Sequence, residues 1–249
     1  MISLIEALNY RCLRYVRQPL GPFHILVGPN ASGKTTFLDV IGFLGDLVSK
    51  GLEYAVGERT KKFQDLIYGR AGDGFELAIE VLIPEEKRKL IFNSELDTIR
   101  YEVAIGINNN KEINILSENC ILKKSDNLPQ TPETLFPREL ETPNTIITSH
   151  AKKSTRTVIR KVKDGNDNYN NEVEQKTSGS WRFSVKLGPS KSALFYLPAD
   201  ESKYPVALWL KAFLAESIQN LVLNSLVLRK ASPPGQVRSF KPDGSNLPW

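Results

Sequence analysis

Apolar and polar residues alternate over several short stretches of the chain, which marks half-buried strands. Ile2 to Ala7 forms the first, and Phe75 to Ile83 alternates through Leu77, Ile79 and Val81 before stopping at Pro84. Ile99 to Ile107 and Glu112 to Leu122 are joined by Asn108, Asn109, Asn110 and Lys111, a spacer rich in turn formers that predicts a hairpin. Thr157 to Lys163 and Tyr169 to Gln175 flank Asp164-Gly165-Asn166 and predict a second hairpin, with a further strand from Trp181 to Leu187. Phe23 to Val27 differs in being a continuous apolar run that ends at Gly28, the pattern of a strand buried on both faces in a parallel sheet.

Two segments carry helical spacing instead. Phe37, Val40, Ile41, Leu44, Leu47 and Val48 recur along one face, with Gly51 as a stop signal. Val206, Trp209, Leu210, Phe213, Leu214, Ile218, Leu221 and Val222 do the same after Pro205, which suits the first helical turn. Residues 123 to 155 show no sustained period and hold several prolines, so they read as a polar insertion. The expected organisation is a single lobe over 1–249: a strand, loop and helix unit over 1–50, an antiparallel β-subdomain over 75–190, and a C-terminal helix and strand over 204–228.

Between the apolar run and the first helix lies Gly28-Pro29-Asn30-Ala31-Ser32-Gly33-Lys34-Thr35-Thr36. The segment satisfies G-x-x-x-x-G-K-[ST], and its strand-before, helix-after setting aims backbone N–H groups and a helix N-terminus at an anion. Gly28 and Gly33 permit a close phosphate approach, Lys34 reaches the β- and γ-phosphates, and the Thr35 hydroxyl can ligate magnesium. Thr36 is assigned to the α-phosphate side. A strand-to-helix turn with glycines for structure alone leaves the adjacent Lys and Thr unexplained. ATP with Mg2+ is therefore the expected ligand.

Asn9-Tyr10-Arg11-Cys12 followed by the apolar run and this loop resembles the opening of RecF/SMC-like ATPases of the ABC superclass, a group that includes RecF, SMC heads and OLD-type ATPases. The closing Lys241 to Pro248 is also similar to that group. The resemblance implies an α/β P-loop NTPase fold of the ABC-ATPase head type, with the chain as its N-terminal lobe. It also implies action in DNA repair or anti-phage defence through nucleotide-driven dimerisation. Arg11 and Arg14 stand where that group places a basic residue near the nucleotide; a plain surface arginine reads equally well.

Two features of such heads are missing. No signature motif occurs, and the nearest Walker B pattern, Ala193 to Glu201, has Pro198 and Ala199 before Asp200 and Glu201, so that pair reads as a solvated loop. The chain is thus expected to be the front part of a head or half of a split one, binding nucleotide weakly and hydrolysing it slowly or not at all. Partners would be a second copy or another ATPase lobe. A regulatory module that binds nucleotide without hydrolysing it remains the alternative. A small-molecule P-loop kinase is disfavoured because antiparallel strands follow the helix so soon.

Composition changes this picture little. The chain has 249 residues, 41% hydrophobic and 24% charged, enough for one core, and a net charge of +5. The cluster Lys152, Lys153, Arg156, Arg160, Lys161 and Lys163 offers a strip for DNA phosphates, against the plainer reading of a solvated face. The two cysteines, Cys12 and Cys120, are far apart and form no metal-binding pair, which suits a reducing, cytoplasmic setting. His24 and His150 lack clustered partners for a metal. No run reaches the roughly 18 apolar residues that crossing a bilayer requires.

Overall fold

A computed structural model describes residues 1–108, 110–125, 141–149, 154–174, 182–222, 225–229 and 241. Eight strands form one sheet: β1 (Ile2–Tyr10), β2 (Leu13–Pro19), β3 (Gly74–Leu82), β4 (Thr98–Ile107), β5 (Ile113–Lys123), β6 (Arg156–Val162), β7 (Asp167–Asn170) and β8 (Arg182–Val185). Their order is β2-β1-β3-β4-β5-β6-β7-β8, and every pairing is antiparallel. The sheet is mostly a meander, with short turns joining β1 to β2, β4 to β5 and β6 to β7 and longer connections between the other sequential strands. Together with the helices that cover one face, it forms the mixed α/β fold of a P-loop NTPase.

The helices are α1 (Lys34–Lys50), α2 (Leu52–Gly57), α3 (Glu85–Arg88), α4 (Pro205–Glu216) and α5 (Ser225–Leu228). Helix α1 buries Phe37, Val40, Phe43, Leu44, Leu47 and Val48, and its core joins Ile5, Leu77, Ile79 and Tyr101 from the strands with Val206, Leu210 and Leu214 from α4. Gly45 of α1 is needed here, because a Cβ would come within 2.8 Å of the Leu214 carbonyl oxygen. Tyr10, Phe43 and Phe75 meet with ring centroids 5.0 to 6.0 Å apart, in tilted and edge-on geometries that aromatic quadrupoles favour. That cluster ties the end of β1, and the turn after it, to α1.

Three expectations need correction. Phe23 to Val27 forms no strand; it has no regular secondary structure, with Phe23, Ile25 and Val27 at 79%, 71% and 89% exposure. An apolar run records a preference for burial without naming what buries it, and no strand among the described residues lies beside this one. The helix after Pro205 stops at Glu216, so Leu221 and Val222 fall outside it and are exposed. Ser225–Leu228 is helical where a strand was expected. The sheet also gains β2, an edge strand absent from the sequence reading. The closing motif beyond Lys241 lies outside the described residues, as do 126–140 and 150–153 of the polar insertion.

Candidate phosphate-binding site

Residues 28 to 33 curl in front of α1. Ala31 and Gly33 both have left-handed backbone, at φ 64° and 92°. At Gly33 the conformation suits glycine, and a Cβ would lie 3.1 Å from Leu13 Cδ2 and 3.2 Å from Cys12 Sγ. At Gly28 a Cβ would reach within 2.9 Å of Ser32 Oγ. Both glycines therefore keep open a cradle that larger residues would fill. Among the described residues no side chain caps α1, and the amides of its first turn cannot find carbonyl partners within the helix. They point toward the cradle with the positive end of the helix dipole behind them.

Lys34 closes the loop. Its Nζ donates to the carbonyl oxygens of Gly28 and Pro29, each at 2.7 Å, and to Ser32 Oγ at 3.3 Å. The ammonium thus sits over the loop. Thr35 is exposed at the mouth, and Thr36 is half-buried, accepting a hydrogen bond from the Cys12 thiol at 3.3 Å.

A cleft of about 710 Å3 runs across this loop. Asn30 to Thr36 form one wall, Arg11 and Cys12 a second, and Asp65, Ile67, Gly69 and Arg70 a third. Gly28 and Pro29 do not line the cleft, and their carbonyls hold the lysine. The second and third walls are joined by a bridge between Tyr10 and Ile67 and by the Arg11 amide donating to the Leu66 carbonyl at 2.8 Å. Arg11 has φ 51°, the left-handed conformation that turns β1 back into β2 and sets its side chain at the cleft.

Behind Arg11 is a charged cluster that sequence reasoning missed. Asp39, on α1, accepts from Tyr10 Oη at 2.6 Å, from Arg59 at 2.8 Å and from Arg11 Nη1 at 3.3 Å. Burial works against the charge on Arg59, yet its bonds to Asp39 and Asp46 outweigh this and raise its pKa. Burial and the neighbouring Asp39 carboxylate push the Tyr10 phenol up, so it remains a donor. The only hint in the sequence is the pair of acids, Asp39 and Asp46, on the P-loop helix; Arg59 carries no local signal.

Arg14 is exposed on β2 and does not line the cleft. The basic cluster is divided by strand geometry: Arg156 and Lys161 are buried, with Lys161 paired to Asp167 at 2.7 Å, while Arg160 is exposed. Lys152 and Lys153 lie outside the described residues. Asp200 and Glu201 sit in a loop, where Asp200 pairs with Lys203 at 2.8 Å. Among the described residues no helix is long and apolar enough to cross a membrane.

A glycine-built loop leading into a helix, with its lysine folded back onto the loop's own carbonyls, defines a P-loop ATPase. Residues 23–245 match the family described as "AAA domain, putative AbiEii toxin, Type IV TA system", and the chain belongs to that family. It is an AAA-type P-loop ATPase. Over 48 residues it is 46% identical to the OLD nuclease of Thermus scotoductus (strain ATCC 700910 / SA-01), a match spanning 19% of this chain and 9% of that relative. A solved structure from work on the ATP-driven dimerization and DNA-stimulated activation of SMC ATPases is 20% identical, with a TM-score of 0.34. That alignment covers 46% of this chain and 67% of the other, too loose a likeness to carry an argument.

Proposed function

We propose that this chain is an ATP-binding head that works through nucleotide-driven dimerisation, in DNA repair or anti-phage defence, and that it hydrolyses ATP only when a second lobe completes its site. The observation that carries the reading is the pairing of an assembled phosphate cradle with a bare apolar segment immediately before it. Phe23, Ile25 and Val27 are exposed beside a loop that is otherwise in place, and large exposed apolar runs mark surfaces meant to be covered. A strand added alongside would bury them and bring further groups to the phosphates.

The residues present fit MgATP. The loop amides and Lys34 would hold the β- and γ-phosphates, the Thr35 hydroxyl would take a magnesium position, and Arg11 would meet the nucleotide from the opposite wall. Magnesium, when bound, supplies charge neutralisation on the phosphate oxygens. The cradle gives binding and orientation. Among the described residues no carboxylate is free to orient an attacking water there, because Asp65 at the cleft is paired with Arg70 and Asp200 is engaged with Ser202 and Lys203. The same observation favours a second reading, a nucleotide-dependent regulatory module that never hydrolyses.

Light scattering with and without ATP, together with an ATPase assay, tests both. The proposal expects ATP binding, slow or no turnover by the chain alone, and an ATP-dependent rise in mass or in partner binding. Rapid turnover by the monomer contradicts it.

A further inference from the structure

Three chain segments meet at one end of the sheet: the turn between β4 and β5, the turn between β6 and β7, and residues 186 to 189 after β8. They enclose a cavity of about 310 Å3 that shares no lining residue with the phosphate cleft. Its walls are stitched together. Asn108 Oδ1 accepts from the amides of Asn110 and Glu112, each at 2.9 Å, which fixes the first turn. The Ile115 amide donates to the Pro189 carbonyl at 2.8 Å, and the Leu187 amide donates to Asp167 Oδ2 at 2.9 Å. Gly188 has φ 101°, and its carbonyl accepts from the buried Lys161 Nζ at 2.9 Å; the same ammonium donates to Asp167 Oδ1 at 2.7 Å.

Two features of this lining serve no purpose in the fold. Asn114, on β5, is 7% exposed and lines the cavity, yet its carboxamide forms no hydrogen bond among the described residues. Buried amides are ordinarily partnered, and a molecule in the cavity would supply what the protein does not. Lys163 and Lys186 also line it, both exposed and both without an ion pair among the described residues. Lys161 adds a third cation to the lining, with one of its three N–H groups left over from Asp167 and Gly188. Asp164 is the one acid among the described lining residues.

We propose that this cavity binds a small phosphate monoester of monosaccharide size, with Lys163 and Lys186 on the phosphate and Asn114 on a sugar hydroxyl. A phosphate monoester carries close to two negative charges at neutral pH, which two unpaired ammoniums and the remaining Lys161 N–H match; a single carboxylate would leave a cation over. A carboxamide both donates and accepts, as a hydroxyl does. The volume stands at the lower end of small-molecule sites. A polyphosphate or a phosphodiester chain would have to carry further anions past Asp164. The site is independent of the ATP-binding reading.

The test is isothermal titration of glucose 6-phosphate into the full chain, with glucose, inorganic phosphate, citrate and oligo(dT) as comparisons. The same titrations in Lys34→Ala keep occupancy of the ATP cradle from being mistaken for this site, and that variant is expected to bind the sugar phosphate as the parent does. Glucose 6-phosphate is expected to bind about tenfold or more tightly than inorganic phosphate, and glucose not at all. Asn114→Ala is expected to weaken glucose 6-phosphate about three- to tenfold and to leave inorganic phosphate unchanged. Lys163→Ala and Lys186→Ala are each expected to weaken both by about tenfold. The two lysines are exposed, so their variants carry the test even if Asn114→Ala fails to fold. The proposal is overturned if glucose 6-phosphate does not bind, if the lysine variants bind it as the parent does, if Lys34→Ala abolishes its binding, or if glucose, citrate or oligo(dT) binds as tightly.

Discussion

The Arg11 guanidinium stands 3.3 Å from the Asp39 carboxylate, although Asp39 is already held more closely by Arg59 at 2.8 Å and by Tyr10 at 2.6 Å. Arg11 is therefore the outermost and weakest of three donors on one acid, and its side chain is 41% exposed where Arg59 is 9%. The arrangement parks a cation at the lip of the phosphate cleft while leaving the charge of Asp39 satisfied without it. Arg11 can leave Asp39 without stranding its charge.

This ordering separates stability from binding. Asp39→Ala leaves the buried Arg59 with Asp46 as its one remaining carboxylate and removes the acceptor of Tyr10 Oη, a loss of about 1–3 kcal/mol. Arg11→Ala removes an exposed pairing of about 0.5 kcal/mol, yet it should lower ATP affinity by roughly tenfold, as loss of a charged hydrogen bond does. Urea unfolding and calorimetric titration read the two effects. Equal stability losses in both variants would contradict the hierarchy.

Gly33→Ala tests the backbone of the cradle. The residue has φ 92°, and its new Cβ would press on Leu13 and Cys12. The left-handed conformation alone costs an L-residue about 1–2 kcal/mol. The variant should melt earlier and bind ATP less well, because relief of the contact requires the loop to move. Unchanged affinity and melting temperature would show that the loop does not adopt this conformation.

Exposure of the segment before the loop gives a prediction of the opposite kind. Phe23→Ser should leave the stability of the chain within about 0.5 kcal/mol, since exposed sites contribute little, while abolishing any partner-dependent hydrolysis. A loss of several kcal/mol in the isolated chain would mean that the ring is already buried.

Glu172 sets a pH dependence. It accepts from the Val206 and Ala207 amides at the start of α4, at 2.6 and 2.9 Å. Burial nevertheless raises its pKa to about 7, above the usual carboxylate value, because these bonds and Arg156 only partly offset desolvation. A raised folded-state pKa favours the protonated native form. Its stabilising contribution is full below the unfolded value near 4.5 and is lost as pH rises through about 7. The melting temperature should therefore fall between pH 5 and 8, at constant ionic strength, and Glu172→Gln should flatten that fall whatever its absolute stability. A parent profile that rises over this range would refute the assignment.

What the sequence disclosed depended on whether a local pattern carries the information. Strands β3 to β6 were legible because Leu77, Ile79 and Val81 and their counterparts alternate against one covered face. The loop was legible because its glycines, Lys34 and Thr35 are contiguous. Strand β2 was not, since Arg14, Tyr15, Val16 and Arg17 at a sheet edge are all partly or fully exposed and blur the alternation. The Asp39 cluster joins positions 10, 11, 39 and 59, which only the fold brings together. The basic run around Arg156 to Lys163 is divided because a strand sends neighbours to opposite faces: Lys161 goes inward to Asp167 while Arg160 is exposed.

The central claim is that the Lys34 ammonium, seated over the carbonyls of Gly28 and Pro29, exchanges them for the phosphates of ATP. Isothermal titration of MgATP into the parent chain and into Lys34→Ala measures this directly. The account predicts one binding site in the parent and an affinity reduced by at least about tenfold in the variant, as removal of a charged hydrogen-bond donor implies. Equal affinity in the two proteins would contradict it.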